Sequence, residues 1–225
     1  LALRINSLII RHSSVSFDRM DALQTPGILN PQHLKISDIS AHIILKKLTD
    51  DSLNLNIKRL AMQEQSGLQL ERLSMKFEGG RHSSLLQDFV FSLPKTKITI
   101  PRFEASYRFR GDHFVRPSLR YMGEIDPSSI TPSDLACLRP SLKTFRNVIL
   151  LSANFDGQGD DLYVRNLLVS SPYGDISADV NGFVRGLSQQ QPVWAANIND
   201  LSLSAQTAGF ISENLEGHQA DIPPV

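Results

Sequence analysis

The sequence predicts a mainly β fold, an antiparallel, strongly curved meandering sheet that carries one or two short helices. Three observations predict it: one hydrophobic spacing recurs along the chain, turn-forming residues fall between its copies, and only one stretch reads clearly as helical. The spacing consists of two alternating apolar positions, one extra residue, and two more alternating positions. Strand side chains point alternately to opposite faces, so the extra residue either turns the second pair to the other face or is absorbed by a β-bulge that keeps the face. Bulges at matching heights bend every strand alike. The expected product is a curved sheet with one continuous apolar side.

The first copy is Leu3, Ile5, Leu8 and Ile10. A long loop at 19–31, with Pro26, Gly27 and Pro31, precedes the second copy, Leu34, Ile36, Ile39 and Ala41. Leu55, Ile57, Leu60 and Met62 form the third, and Leu68, Leu70, Leu73 and Met75 the fourth, across a Gln65-Ser66-Gly67 turn. Glu78-Gly79-Gly80 reads as the next turn. Ile98, Ile100, Phe103 and Ala105 follow. The basic and aromatic run 102–110 around them reads as a strand with one apolar and one charged face, in preference to a stacking platform for single-stranded nucleic acid, with a turn at Gly111-Asp112-His113. The sixth copy is Leu162, Val164, Leu167 and Val169, between turns at Asp156-Gly157-Gln158-Gly159-Asp160 and Pro172-Tyr173-Gly174-Asp175. Ala196, Ile198, Leu201 and Leu203 close the series. Gly67, Gly80 and Gly174 stand at one distance beyond three copies, where a reversal favours positive φ.

The main interruption is 130–145. Thr131 suits a helix cap, Pro132 the first helical position and Asp134 the positive dipole end, and Pro140 breaks the helix. Two short helical pieces follow, with Leu135, Leu138, Leu142 and Phe145 expected inward over an open end of the sheet. A weaker helix is read at 205–214. Residues 1–217 therefore form one repeating β domain, and 218–225, with Pro223 and Pro224, a linker or tail.

Composition narrows the function classes. Lys plus Arg and Asp plus Glu are 23 each among 225 residues, so no long-range field favours nucleic acid or an anionic surface. The lone cysteine, Cys137, forms no intramolecular disulfide and supports no multi-cysteine metal site. Starting at Leu1 in a strand-like pattern, the chain reads as an internal segment of a longer protein. His12, His33, His42, His82, His113 and His218 show no ligand spacing, and no serine sits in a nucleophile elbow. The run from Asp156 to Asp161 is the best calcium candidate, yet it reads more naturally as a hairpin turn. Asp51-Ser52-Leu53 matches a short glycosylation signal and would then be a surface loop. Neither a catalytic residue, a metal nor a cofactor is expected.

The stretch Asn30-Pro31-Gln32-His33-Leu34-Lys35-Ile36-Ser37-Asp38-Ile39, continued by Leu53-Asn54-Leu55-Asn56-Ile57-Lys58-Arg59-Leu60 and Gln65-Ser66-Gly67-Leu68-Gln69-Leu70-Glu71-Arg72-Leu73, resembles the repeated strand of the AsmA-like superfamily. Within it the match is to TamB-type proteins of Gram-negative bacteria. The resemblance implies a β-taco, an elongated sheet whose apolar groove conducts phospholipid between inner and outer membranes or assists outer-membrane protein assembly. It implies a periplasmic location, an inner-membrane anchor in a part absent here, and no enzymatic activity. Implied partners are phospholipid acyl chains, neighbouring β-repeat segments of the same full-length chain and an outer-membrane barrel, with no nucleic acid. The residues expected to line the groove are Leu55, Ile57, Leu60, Met62, Leu68, Leu70, Leu73, Met75, Phe77, Ile98, Ile100, Phe103, Val164, Leu167, Val169, Ile198 and Leu201. The rival expectation is a secreted β-sandwich that binds protein or glycan, with evenly alternating strands and exposed loop aromatics.

Overall fold

The computed structural model describes residues 2–205, 207 and 208. Its strands are β1 (Leu3–Asp18), β2 (His33–Thr49), β3 (Ser52–Glu64), β4 (Gln69–Gly80), β5 (Ser83–Ser92), β6 (Lys97–Ser106), β7 (Phe109–Arg110), β8 (His113–Phe114), β9 (Arg120–Ile130), β10 (Ile149–Gln158), β11 (Asp161–Ser170), β12 (Ile176–Arg185) and β13 (Val193–Leu203). Eleven of them form one antiparallel sheet in chain order, each paired with its predecessor, and β7 with β8 makes a small separate ribbon between β6 and β9. Extended contact between strands occurs only between hydrogen-bonded neighbours. Among the described residues the other sheet is the β7–β8 ribbon alone, which does not make the two facing sheets of a sandwich.

The extra residues behave as bulges. Register shifts fall between Ile5 and Leu8 on β1, between Ser37 and Ser40 on β2, and between Ile57 and Leu60 on β3. Another shift between Val164 and Leu167 separates β11 from β12. The β4 and β13 copies shift too: Met62 and Leu60 face Leu70 and Leu73, and Val180 and Ala178 face Ile198 and Leu201. The copy at Ile98 to Ala105 differs, since β5 and β6 keep one register throughout. There Asp88, at φ 52°, lies level with Pro101, so both strands gain a residue together and neither slips. His12 (φ 46°) and Asp38 (φ 52°) occupy bulges on adjacent strands and are tied by a 2.6 Å Nδ1–Oδ1 contact.

Two expected turns are displaced. Gly79 and Gly80 lie inside β4, the reversal falling at Arg81 and His82, and Gly80 does not have positive φ. Asp156, Gly157 and Gln158 belong to β10, leaving Gly159 (φ 59°) and Asp160 to turn the chain. Gly67 (φ 100°) and Gly174 (φ 71°) turn as expected. Asp51 is in a turn, but Ser52 and Leu53 already belong to β3 and are half-buried, so the three do not form a projecting loop.

The helical interruption consists of 3-10 turns at Pro132–Leu135 and Pro140–Thr144, with a third at Arg116–Ser118. Thr131 precedes the first without capping it, because its hydroxyl donates to Lys95 O at 3.2 Å. The Asp134 carboxylate accepts from Lys95 N at 2.8 Å. Leu135, Leu142 and Phe145 are half-buried, whereas Leu138 is exposed and Cys137 takes the interior place. This insertion meets the loop at 19–31 through Leu29 N–H to Cys137 O at 2.8 Å, although β3 to β6 separate their parent strands. One rim of the sheet is thus closed by loop-to-loop contact. Ala205, Thr207 and Ala208 are helical, and the rest of 205–214 and all of 218–225 lie outside the described residues.

Candidate apolar face

Following the register from strand to strand, one row crosses all eleven strands: Ile5, Leu45, Leu55, Phe77, Leu86, Phe103, Gly123, Phe155, Val164, Gly182 and Ala196. Residues level with one another in a ladder share a face. A parallel row runs from Leu3, Leu48 and Leu53 through Ala105 and Tyr121 to Leu162, Val184 and Trp194. Two further rows hold Leu8, Ile43, Ile57 and Met75 beside Ile10, Ala41, Leu60 and Leu73. Their continuation across the last strands holds Ala153, Leu167, Val180 and Ile198 beside Leu151, Val169, Ala178 and Leu201.

The bulges keep the face. Val164 pairs with Phe155 and Leu167 with Ala153, two residues apart on β10, so the third residue on β11 is absorbed without inverting the strand. The expected lining residues accordingly fall in these rows or, for Met62 opposite Leu70, in the next one. Ile98 and Ile100 pair with Phe91 and Phe89. Leu68 is the exception in placement: it lies just before β4, in the turn, where its carbonyl accepts from Glu64 N at 2.8 Å. Ile198 and Leu201 share the face but are exposed on the edge strand, while Ile57 and Leu70 are buried.

The opposite face is polar at the corresponding level. Asn56, Lys76, Gln87, Arg102, Glu124, Asn154 and Asn166 form a row of their own. Lys76 pairs with Asp88 at 2.7 Å, and Arg165 clasps Asp156 through two nitrogens, which holds the Asp156 carboxyl below its usual pKa. Asp160 pairs with Arg116 at 2.5 Å and accepts from Ser188 Oγ, and Asp161 accepts from Gly186 N. The acidic run is therefore engaged within the fold. Among the described residues no group of three or more His, Cys, Asp or Glu side chains converges as a metal site.

Glycines shape the apolar face where rings cross it. Phe103 and Phe155 stand on strands either side of β9, with centroids 6.2 Å apart, and a Cβ on Gly123 would lie 2.9 and 2.7 Å from their ring atoms. Tyr121 packs against Phe103 at 6.4 Å and donates its hydroxyl to Asp161 O at 3.1 Å; burial and then the nearby aspartates raise its pKa, so it remains a neutral donor. Among the described residues no second sheet lies over them. Apart from the small residues Ala41, Ala105 and Ala153, the face buries Ile57 and Leu70 and leaves most of its large side chains half-exposed.

Sequence reasoning located the apolar positions but missed the glycines between them and the closed rim. At that rim Thr96 Oγ1 donates to Thr131 O at 3.3 Å and accepts from Thr131 N at 3.0 Å, with both residues almost fully buried. The buried His33 reaches Asp18 through Nδ1 and Ala22 O through Nε2, the latter at 3.0 Å. A cavity of about 520 Å³ lies beside it, lined by Phe17, Ile28, Leu34 and Gln65 among others. No local pattern announces these contacts, which join residues 11 to 35 positions apart. No family model, curated protein or solved structure matches the chain.

Proposed function

We propose that this chain is a non-enzymatic, lipid-handling segment of a cell-envelope protein of the AsmA/TamB kind, and that its apolar face holds phospholipid acyl chains. The observation that carries the reading is the row of eleven level positions, almost all apolar, that crosses the whole sheet without a covering layer among the described residues. Soluble domains bury such a face against a second layer. An acyl chain offers equivalent cover, because each methylene removed from water contributes roughly 0.8 kcal/mol without any directed contact. The polar row on the reverse side keeps that side compatible with water.

The sheet also ends bare on both sides. Leu3, Leu8 and Val15 on β1 and Trp194, Ile198 and Leu201 on β13 are exposed, and neither strand has a second ladder partner among the described residues. In this reading, neighbouring β-repeat segments of the full-length chain continue the rows at these edges, as exposed strand edges favour. The protein would then work in the periplasm, anchored at the inner membrane, with an outer-membrane barrel as a partner of the whole.

The test is lipid extraction. Organic extracts of the purified chain, analysed by mass spectrometry, are expected to contain phospholipid, and the delipidated chain to take up a fluorescent phospholipid. Leu55→Asp with Phe103→Asp is expected to cut uptake about tenfold or more, since a charge in an apolar site is strongly disfavoured. An extract free of phospholipid, with no uptake afterwards, overturns the reading.

A further inference from the structure

The β7–β8 ribbon carries an aromatic cluster that the apolar face does not use. Phe109 and Phe114 are cross-strand partners, and with Tyr107 they make three edge-to-face contacts at centroid distances of 5.7 to 5.9 Å. Phe109 is 39% exposed and Phe114 45% exposed. The ribbon is held at its base without them: Tyr107 Oη donates to Gly80 O at 2.7 Å, Arg108 N to Ser118 Oγ at 2.8 Å, and Val115 N to Arg108 O at 2.9 Å. Arg81 steadies its tip through Gly111 O at 3.0 Å. The two rings are thus presented on a fixed support.

The charge around them is equally local. Between Tyr107 and Arg120 the sequence places Arg108, Arg110, Arg116 and Arg120 against the single acid Asp112, while the fold also brings Asp50, Asp51 and Arg81 beside Phe109 and Asp112. Arg116 is paired with Asp160, but Arg108, Arg110 and Arg120 have no ion-pair partner among the described residues. Aromatic rings favour the headgroup level of a bilayer, where one side is apolar and the other wet, and unpaired arginines near them are drawn to lipid phosphates.

We infer that the β7–β8 ribbon docks this protein on the surface of a bilayer containing anionic phospholipid, with Phe109 and Phe114 entering the headgroup layer and Arg108 and Arg110 meeting phosphates. This goes beyond holding an acyl chain, and it rests on residues separate from the apolar face. A chain that takes up no lipid can still dock, and one that docks can still fail to take up lipid.

The experiment is co-sedimentation of the full chain with vesicles of phosphatidylcholine alone or mixed with phosphatidylglycerol. Wild type is expected to sediment with the mixed vesicles only. Phe109→Ser with Phe114→Ser, and Arg108→Gln with Arg110→Gln, are each expected to weaken that binding about tenfold or more, with far-UV circular dichroism unchanged. Phe114→Trp in a Trp194→Phe background adds a second readout that requires no loss of side chains, and its emission is expected to shift to the blue on mixed vesicles. No sedimentation with either vesicle, an unshifted tryptophan, or binding by both double variants equal to that of wild type overturns the inference. So does a result in which the variants lose only binding to a single-stranded oligonucleotide, which would make the ribbon a nucleic-acid platform instead.

Discussion

The rim closed by 19–31 and 131–148 belongs to the same sheet as β13, yet the two regions are stabilised in different ways. At the rim, Thr131 is 0% and Thr96 2% exposed, and their polar atoms satisfy one another. On β13 every residue is exposed, and Ile198 is 55% exposed although it stands on the same face as the buried Ile57. Identical apolar spacing therefore gives opposite environments. What differs is whether something else in the chain reaches across to cover it.

The largest effect that would break this contrast is expected from Thr96→Val. It removes the acceptor of the buried Thr131 N–H, while the Thr131 carbonyl keeps Asp134 N–H at 3.0 Å, and a loss of about 2–3 kcal/mol is expected in urea unfolding. An unchanged midpoint would show that water reaches the rim and that it is no more closed than β13. Next comes Gly123→Val, midway between the two regions. Its side chain collides with the Phe103 and Phe155 rings, and a loss of about 1–3 kcal/mol is expected from the same measurement.

A third prediction concerns pH. Both ring nitrogens of His33 face acceptors, the Asp18 carboxylate and the Ala22 carbonyl, and only the protonated ring donates to both. The Asp18 hydrogen bond raises the pKa above the ordinary 6.5, against a smaller opposing effect of burial. The folded value exceeds the unfolded one, so this tie is fully present below about pH 6.5 and is lost as pH rises through the folded pKa. The difference in Tm between wild type and His33→Gln is expected to shrink as pH rises; a gap that widens instead would assign the tie to the neutral ring. The smallest effect belongs to the bare edge. Ile198→Ala is expected to change stability by no more than about 0.5 kcal/mol, and a larger loss would mean that β13 is covered in solution.

The positions of the strands were legible in the sequence because a strand's face is written in period two and each bulge in a single added residue. Leu55, Ile57, Leu60 and Met62 needed no partner to be assigned to one strand. The turns were less legible. Gly79 extends β4 instead of ending it, since Leu53 offers it a ladder position that no local rule reveals. Whether the added residue inverts a strand or is absorbed also depends on the neighbour, as the in-step bulge at Asp88 and Pro101 shows.

By itself, then, the sequence determined an antiparallel meander with one continuous apolar face, because these features depend on residues a few positions apart. Only the tertiary structure decided that the bulges preserve that face along all eleven strands, that Gly123 opens room for rings from two other strands, and that Leu29 meets Cys137 to close a rim. Those outcomes come from contacts between distant parts of the chain. Their energy depends on shape and on mutual satisfaction of buried polar groups, neither of which is encoded in any single stretch.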